Sequence, residues 1–328
     1  MTALNTEIEP KPMTTDTKPR SFLSITDLTA DELLHLFDLG KRLKADPSIA
    51  AGRLAGKQIA MIFEKPSLRT RVSFDAGINR LGGYAMYLDE SRAKLGEREP
   101  VKDYARNLER YVDGIVARVH DHNALVELAA NCSIPVVNAL SDLEHPCQAA
   151  ADFMTIEEHL GSLDGVKLAW VGDGNNVCHS LMLLAAVLGV SMTVVTPKGF
   201  EPSHEILRSV LKFAEPTGAT ITLSNELSAV EGHHAVYTDK WVSMGQDHQK
   251  GLRTDAFENV RVTEDLMEIA SKGLERPALF MHCLPAKRGE EVEAAVIDGP
   301  NSVVYDQAEN RMHAQNALLL FLFNAADV

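Results

Sequence analysis

The sequence predicts an α/β protein of two domains. Each is expected to be a parallel sheet covered by helices on both faces, with a C-terminal helix returning to the first domain. Three observations point there. Short β-branched runs alternate with longer helical patterns almost throughout the chain, which is the pattern of parallel sheets buried on both faces. The 328 residues suit two domains at roughly 150 residues each. Clusters of polar residues follow the expected strand ends, where open α/β sheets bind their ligands.

The first twenty residues are polar, rich in Thr and Pro, and carry both acids and bases. They lack the apolar stretch of a secretory signal and the acid-poor character of a transit peptide, so residues 1–20 are read as a flexible tail. Thr29 and Glu32 form the capping-box pattern that opens a helix, with Leu33, Leu36, Phe37 and Leu43 on one side. Strands are expected at 58–63, 84–88, 114–119 and 134–139, with helices between them. A second series is expected at 166–172, 191–196, 220–223, 234–238, 278–283 and 302–305. The two series part near 158–165, where His159-Leu160-Gly161-Ser162 reads as a turn after a helix. The boundaries that follow are 21–160 for the first domain and 161–306 for the second. Residues 307–328 then form a helix apolar enough to require burial against the first domain.

Composition narrows the function. Apolar residues at 45% and charged residues at 24% are ordinary for a globular chain. The 32 Lys and Arg against 46 Asp and Glu give a net charge of −14. That disfavours a general nucleic-acid or membrane-surface binder, while leaving room for a local basic pocket. Cys132, Cys147, Cys178 and Cys283 form no CxxC pair, which fits reduced thiols in the cytoplasm. The longest apolar run, 317–323, is too short to span a membrane.

The strand ends carry the chemistry. After the first strand, Ser67-Leu68-Arg69-Thr70-Arg71 would begin a helix whose free N–H groups, hydroxyls and guanidiniums suit an anion; a structural salt bridge is the plainer use of one Arg. The segment lacks the Gly-rich pattern of a nucleotide-binding loop, which points to a small phosphate compound. Arg118 ends the third strand. His145 and Gln148, three apart at a helix start, share a face. Gly172-Asp173-Gly174-Asn175-Asn176-Val177 resembles a dinucleotide fingerprint without its third glycine, so an NAD-dependent dehydrogenase is an alternative. Its two Asn residues either suit an amino-acid carboxylate or shape the turn. Asp239 and Ser243, in a loop ending at Gly245, suit an ammonium group, or form a surface turn. Cys283, in His282-Cys283-Leu284-Pro285, is either an inert small residue or a thiolate favoured by nearby arginines. No set of His and Cys has a recognised ligand spacing, so no metal is expected.

Together FEKPSLRTR (63–71), ARVH (117–120), HPCQ (145–148), GDGNN (172–176), DKWVSMG (239–245), HCLPAKR (282–288) and ENR (309–311) resemble the aspartate/ornithine carbamoyltransferase family, in order and over nearly the whole chain after residue 20. The SMG and HCLP segments resemble its ornithine branch; enzymes for acetylornithine or putrescine differ around the amine-binding loop. The resemblance implies transfer of the carbamoyl group of carbamoyl phosphate to the δ-amine of L-ornithine, giving L-citrulline and phosphate, without metal or organic cofactor. It also implies a homotrimer, or a multiple of trimers, with sites at subunit boundaries. By the same resemblance, Ser67, Leu68, Arg69 and Thr70 bind phosphate. Arg118, His145 and Thr70 polarise the carbamoyl oxygen, Gln148 and the Leu284 carbonyl hold the carbamoyl nitrogen, and Arg311 closes the pocket. Asn176, Asp239, Ser243 and Met244 hold the amino-acid head of ornithine. Cys283 accepts the proton, with Asp239. Two positions depart from the family. Leu68 stands where Thr is usual, and Lys94, on a loop that in the family reaches a neighbouring subunit, stands where Gln is common.

Overall fold

The computed structural model describes residues 19–242 and 250–328. The expected tail, up to residue 18, lies outside the described residues, as do Ser243 and Met244. Arg20, expected in the tail, belongs to the fold: it is paired with Glu32 and donates to the Asp27 carbonyl at 2.8 Å.

The first sheet contains β1 (Gln58–Phe63), β2 (Tyr84–Asp89), β3 (Gly114–Arg118) and β4 (Val136–Leu140), in the order β2-β1-β3-β4 and parallel throughout. Its crossovers are α2 (Leu68–Arg80), α3 (Val101–Leu108) and α4 (His122–Ala130). The second contains β5 (Lys167–Val171), β6 (Ser191–Val195), β7 (Ile221–Ser224), β8 (Ala235–Thr238) and β9 (Leu279–His282), in the order β7-β6-β5-β8-β9, also parallel. Ile59, Ala60, Met61 and Ile62 are fully buried, as are Leu168, Ala169, Trp170 and Val171. That is why the central strands read as continuous apolar runs rather than alternating ones.

Both sheets reverse their direction of winding at a central strand. The chain leaves β1 for β2 on one side and returns to β3 on the other; it leaves β5 for β6 and β7, then returns to β8. The crevices beyond β1/β3 and β5/β8 are therefore the two switch points where such sheets bind ligands.

One expected strand is absent. Ser302 makes only an isolated bridge with Phe280, and α11 (Val304–Leu322) begins at once. The β-branched pair Val303-Val304 is buried at a helix start, not in a ladder; tertiary burial here outweighs local preference. The helix expected from 307 thus starts three residues earlier.

Helix α11 packs on α1 (Ala30–Ala45), α2, and α5 (Pro146–Leu160), so the C-terminus does return to the first domain. A Cβ on Gly77 of α2 would lie 2.2 Å from Asn316 Oδ1. A side chain there would have to displace the Asn316 amide, so glycine accommodates the close approach that brings Arg311 beside Thr70.

Candidate active site

The two switch points face one another across a cavity of about 270 Å³. The first domain lines it with Ser67, Leu68, Arg69, Thr70, Arg118, His145 and Gln148; the second supplies Asn176, Asp239, Cys283 and Leu284, and α11 supplies Arg311. Lys65, to which the sequence reading gave no role, lines it too; its position between strand end and helix start was the available signal.

Ser67 caps α2, its Oγ accepting from the Thr70 N–H at 3.3 Å. The N–H groups of Leu68 and Arg69 have no acceptor within the helix, and both residues line the cavity. Thr70 Oγ1 is a meeting point: Arg311 donates to it at 3.1 Å, Arg118 at 3.5 Å, and Ser67 at 3.1 Å. Arg118 is buried, and its Nε has no hydrogen-bond partner among the described residues. Burial and the charges of Arg311 and Arg69 push it down to about 9, which leaves a guanidinium charged at neutral pH. Burial also lowers Arg69, while Cys283 and Asp239 oppose that shift. The local field is thus strongly positive in a protein of net negative charge.

His145 stands at the N-cap of α5, its backbone N–H donating to Ser180 Oγ at 2.9 Å. Burial, then the charges of Arg311, Arg118 and Arg69, hold the imidazole far below its usual pKa, so it is neutral at pH 7. Its Nδ1 has no partner among the described residues. Gln148 lies one turn on. Its Oε1 accepts from Arg311 at 2.8 Å and its Nε2 donates to Asp152 at 2.8 Å.

On the facing wall, Asn175 caps α6 (Asn176–Leu188) by accepting from the Val177 and Cys178 N–H groups. Its Nδ2 donates to Asp239 Oδ2 at 2.9 Å. This Asn shapes the turn and also orients the acid. Val177 occupies the place of the missing third glycine. Asn176 donates to the Ser141 carbonyl at 2.6 Å. Cys283 Sγ donates to Asp239 Oδ1 at 3.1 Å. Burial, then Asp239, push the thiol far up, so it is protonated at neutral pH. Leu284 has φ of 57°, precedes a cis Pro285, and donates its N–H to His282 Nδ1 at 2.8 Å. One ligand-type atom each of Asp239, His282 and Cys283 lies within 4.8 Å of the others; Asp239, Cys283 and His282 Nδ1 make the bonds just given.

Lys94 is not in this cavity. It is exposed and lines a separate hollow with Glu90 and Tyr104, beside a backbone N–H of Leu95 held by the buried Glu64 at 2.6 Å. Among the described residues no helix is long and apolar enough to cross a membrane.

This geometry has counterparts. Residues 20–158 match the model of the aspartate/ornithine carbamoyltransferase carbamoyl-phosphate-binding domain, and 164–322 that of the aspartate/ornithine-binding domain. An ornithine carbamoyltransferase of Shewanella oneidensis is 50% identical over 93% of this chain and all of its own length. One from Methanobrevibacter smithii is 49% identical over 91% of this chain and 98% of its own. The solved ornithine carbamoyltransferase of Pyrococcus furiosus superimposes with a TM-score of 0.87 at 46% identity, covering 92% of this chain and 96% of its own. None of these favours the dehydrogenase alternative. The chain belongs to the aspartate/ornithine carbamoyltransferase family.

Proposed function

We propose that this chain transfers the carbamoyl group of carbamoyl phosphate to the δ-amine of L-ornithine, giving L-citrulline and phosphate. The observation that carries the reading is the convergence of Arg69, Arg118, Arg311, Thr70 and neutral His145 on a cavity whose opposite wall offers Asp239, Asn176 and Cys283. A dianion fits the first wall and an amino-acid head group the second. On this reading residues 21–160 bind carbamoyl phosphate and 161–306 bind ornithine, in keeping with the ranges of the two family models.

The phosphate is held by the N-terminal turn of α2, from Ser67 to Thr70, with Arg69 as its principal counter-charge. Leu68 contributes its backbone N–H. The δ-amine lone pair attacks the carbamoyl carbon. Negative charge collects on the carbamoyl oxygen, where Arg118, Thr70 and the ring N–H of neutral His145 donate. Gln148 and the Leu284 carbonyl accept from the carbamoyl nitrogen. The bond to phosphate oxygen then breaks.

The amine must be neutral to attack, and a free alkyl ammonium has a pKa near 10. The guanidiniums around it favour loss of that proton. Because the Cys283 thiol donates to Asp239, the two form a relay: sulfur accepts the amine proton as its own passes to the carboxylate. Asn176 and Asp239, with Ser243 and Met244, bind the α-amino and α-carboxylate groups.

The assembly is a homotrimer, or a multiple of trimers, in the cytoplasm. Apolar exposure on the edge strand β2 supports self-association: Tyr84 is 56% exposed. The four unbridged cysteines fit a reducing compartment. The test is citrulline formation from carbamoyl phosphate with ornithine, acetylornithine, putrescine and aspartate offered separately. Ornithine is the expected acceptor, since unpaired buried polar groups discriminate strongly. Equal kcat/KM for another amine would overturn the assignment.

A further inference from the structure

The two ends of the Gln148 amide have opposite hydrogen-bonding character, one donating and one accepting. Which end faces the cavity decides what it recognises. Asp152, one turn further along α5 and completely buried, settles the matter: its Oδ1 accepts from Gln148 Nε2 at 2.8 Å. A carboxylate only accepts, so it claims the NH2 and turns Oε1 toward the cavity, where Arg311 donates to it. The same Oδ1 accepts from Gln307 Nε2 at 2.9 Å, and Gln307 Oε1 accepts the backbone N–H of His282 at 3.0 Å. His282 in turn takes the N–H of Leu284. One buried carboxylate therefore stands behind both groups read above as acceptors of the carbamoyl nitrogen.

We propose that Asp152 is a positioning residue that fixes the polarity of the Gln148 amide and so makes the cavity select a carbamoyl group over an acyl group of the same shape. The inference rests on the reading in which Gln148 faces the carbamoyl nitrogen. That nitrogen carries two donor hydrogens. Oε1 satisfies one, whereas an inverted amide would set NH2 against NH2. The methyl of acetyl phosphate, nearly identical in size, gains nothing from either orientation. Losing Asp152 should therefore weaken the carbamoyl compound selectively and leave the phosphate contacts of both compounds untouched.

The test compares KM for carbamoyl phosphate with the competitive inhibition constant of acetyl phosphate in the wild-type protein, Asp152→Asn and Gln148→Met. Asn presents either end of its own amide, so Nε2 of Gln148 loses its obligatory acceptor and Arg311 alone still favours Oε1 toward the cavity. Asp152→Asn is expected to reduce the discrimination between the two ligands at least fivefold, with acetyl phosphate changed less than twofold. A merely structural role would weaken both ligands by the same factor, and that result overturns the inference. If Gln148→Met leaves the discrimination at the wild-type value, the assignment of Gln148 fails and the inference with it. If Gln148→Met abolishes the discrimination while Asp152→Asn preserves it, only the inference fails. Should Asp152→Asn not fold, Asp152→Ser removes the same charged acceptor and is judged by the same ratio.

Discussion

Arg311 Nη1 donates to Gln148 Oε1 at 2.8 Å, across 163 residues of chain, and its Nη2 donates to Thr70 at 3.1 Å. The last helix is thereby joined to the starts of α5 and α2 at the point where both enter the cavity. Arg311→Met keeps much of the side-chain volume and removes both bonds. Hydrogen bonds to charged groups are worth about 1.5–3 kcal/mol each, so kcat/KM for carbamoyl phosphate should fall by about 30-fold or more. Steady-state kinetics check this; a change below threefold would mean that the guanidinium acts only in packing.

Arg118 illustrates the opposite balance. It is buried beside Arg311 and Arg69, and its Nε has no hydrogen-bond partner among the described residues. Such an arrangement costs stability and is tolerated for what it binds. Arg118→Met should lose nearly all activity while its Tm rises by about 1–4 °C. Calorimetry in phosphate-free buffer is the measurement. A lower Tm would show that the guanidinium is satisfied within the fold.

Glu144 lies immediately before His145, where Ile25 N–H and Ser180 Oγ donate to it at 3.2 and 3.1 Å. Burial pushes its carboxyl up to about 7 from an ordinary 4.5. The folded protein therefore binds a proton that the unfolded chain has released between those values, and stability from this group falls as pH rises through that window. Glu144→Gln removes the dependence and keeps an acceptor. Its advantage over wild type should be near zero at pH 4.5 and reach on the order of 3 kcal/mol by pH 8. Urea unfolding at the two pH values checks this; an advantage independent of pH refutes it.

The Cys283 thiol donates to Asp239 at 3.1 Å. Cys283→Ala breaks the proposed relay while leaving Ser67, Arg69 and Thr70, the proposed phosphate ligands, intact. The expected result is a fall in kcat and an altered KM for ornithine, with KM for carbamoyl phosphate within about twofold, since none of the phosphate's charge-assisted contacts is removed. Wild-type kinetics in the variant at every pH would reduce the thiol to packing.

What was legible in the sequence was whatever depends on neighbours along the chain. The apolar run at 58–63, the capping pair Thr29 and Glu32, and the helix start near Ser67 all reappear where local chemistry put them. The strand expected at 302–305 failed because its Val pair is buried by a helix it begins, and no local pattern separates the two cases. Asp152 and Gln307 drew no notice for a related reason. They are ordinary polar residues on apolar helices, 155 positions apart, and their meaning lies wholly in the fold that joins them. Asn175 shows the mixed case: a part in shaping the turn was legible, its hold on Asp239 was not.

Lys94 tests the assembly itself. In this subunit it lies outside the cavity, exposed, on the loop between β2 and α3, with its own backbone N–H donating to Glu97 at 3.1 Å and the next held by Glu64. Its charge is felt by Lys65 and His120 of the same chain, opposing theirs. An exposed cation on a loop is ordinarily a solvated group. If it instead serves carbamoyl phosphate in a neighbouring subunit, it adds a cation beside a dianion. That contribution is partly screened by salt over a Debye length of about 8–10 Å. Lys94→Gln should then raise KM for carbamoyl phosphate and flatten its salt dependence, with little change for ornithine. Complementation decides which subunit is served. Lys94→Ala and Arg69→Ala, each inactive alone, are mixed under conditions where labelled subunits demonstrably exchange. If the chain assembles as the proposed trimer, a site built from the intact Arg69 of one chain and the intact Lys94 of its neighbour is complete in a mixed assembly, so activity should return. Exchange without recovered activity would confine Lys94 to its own subunit.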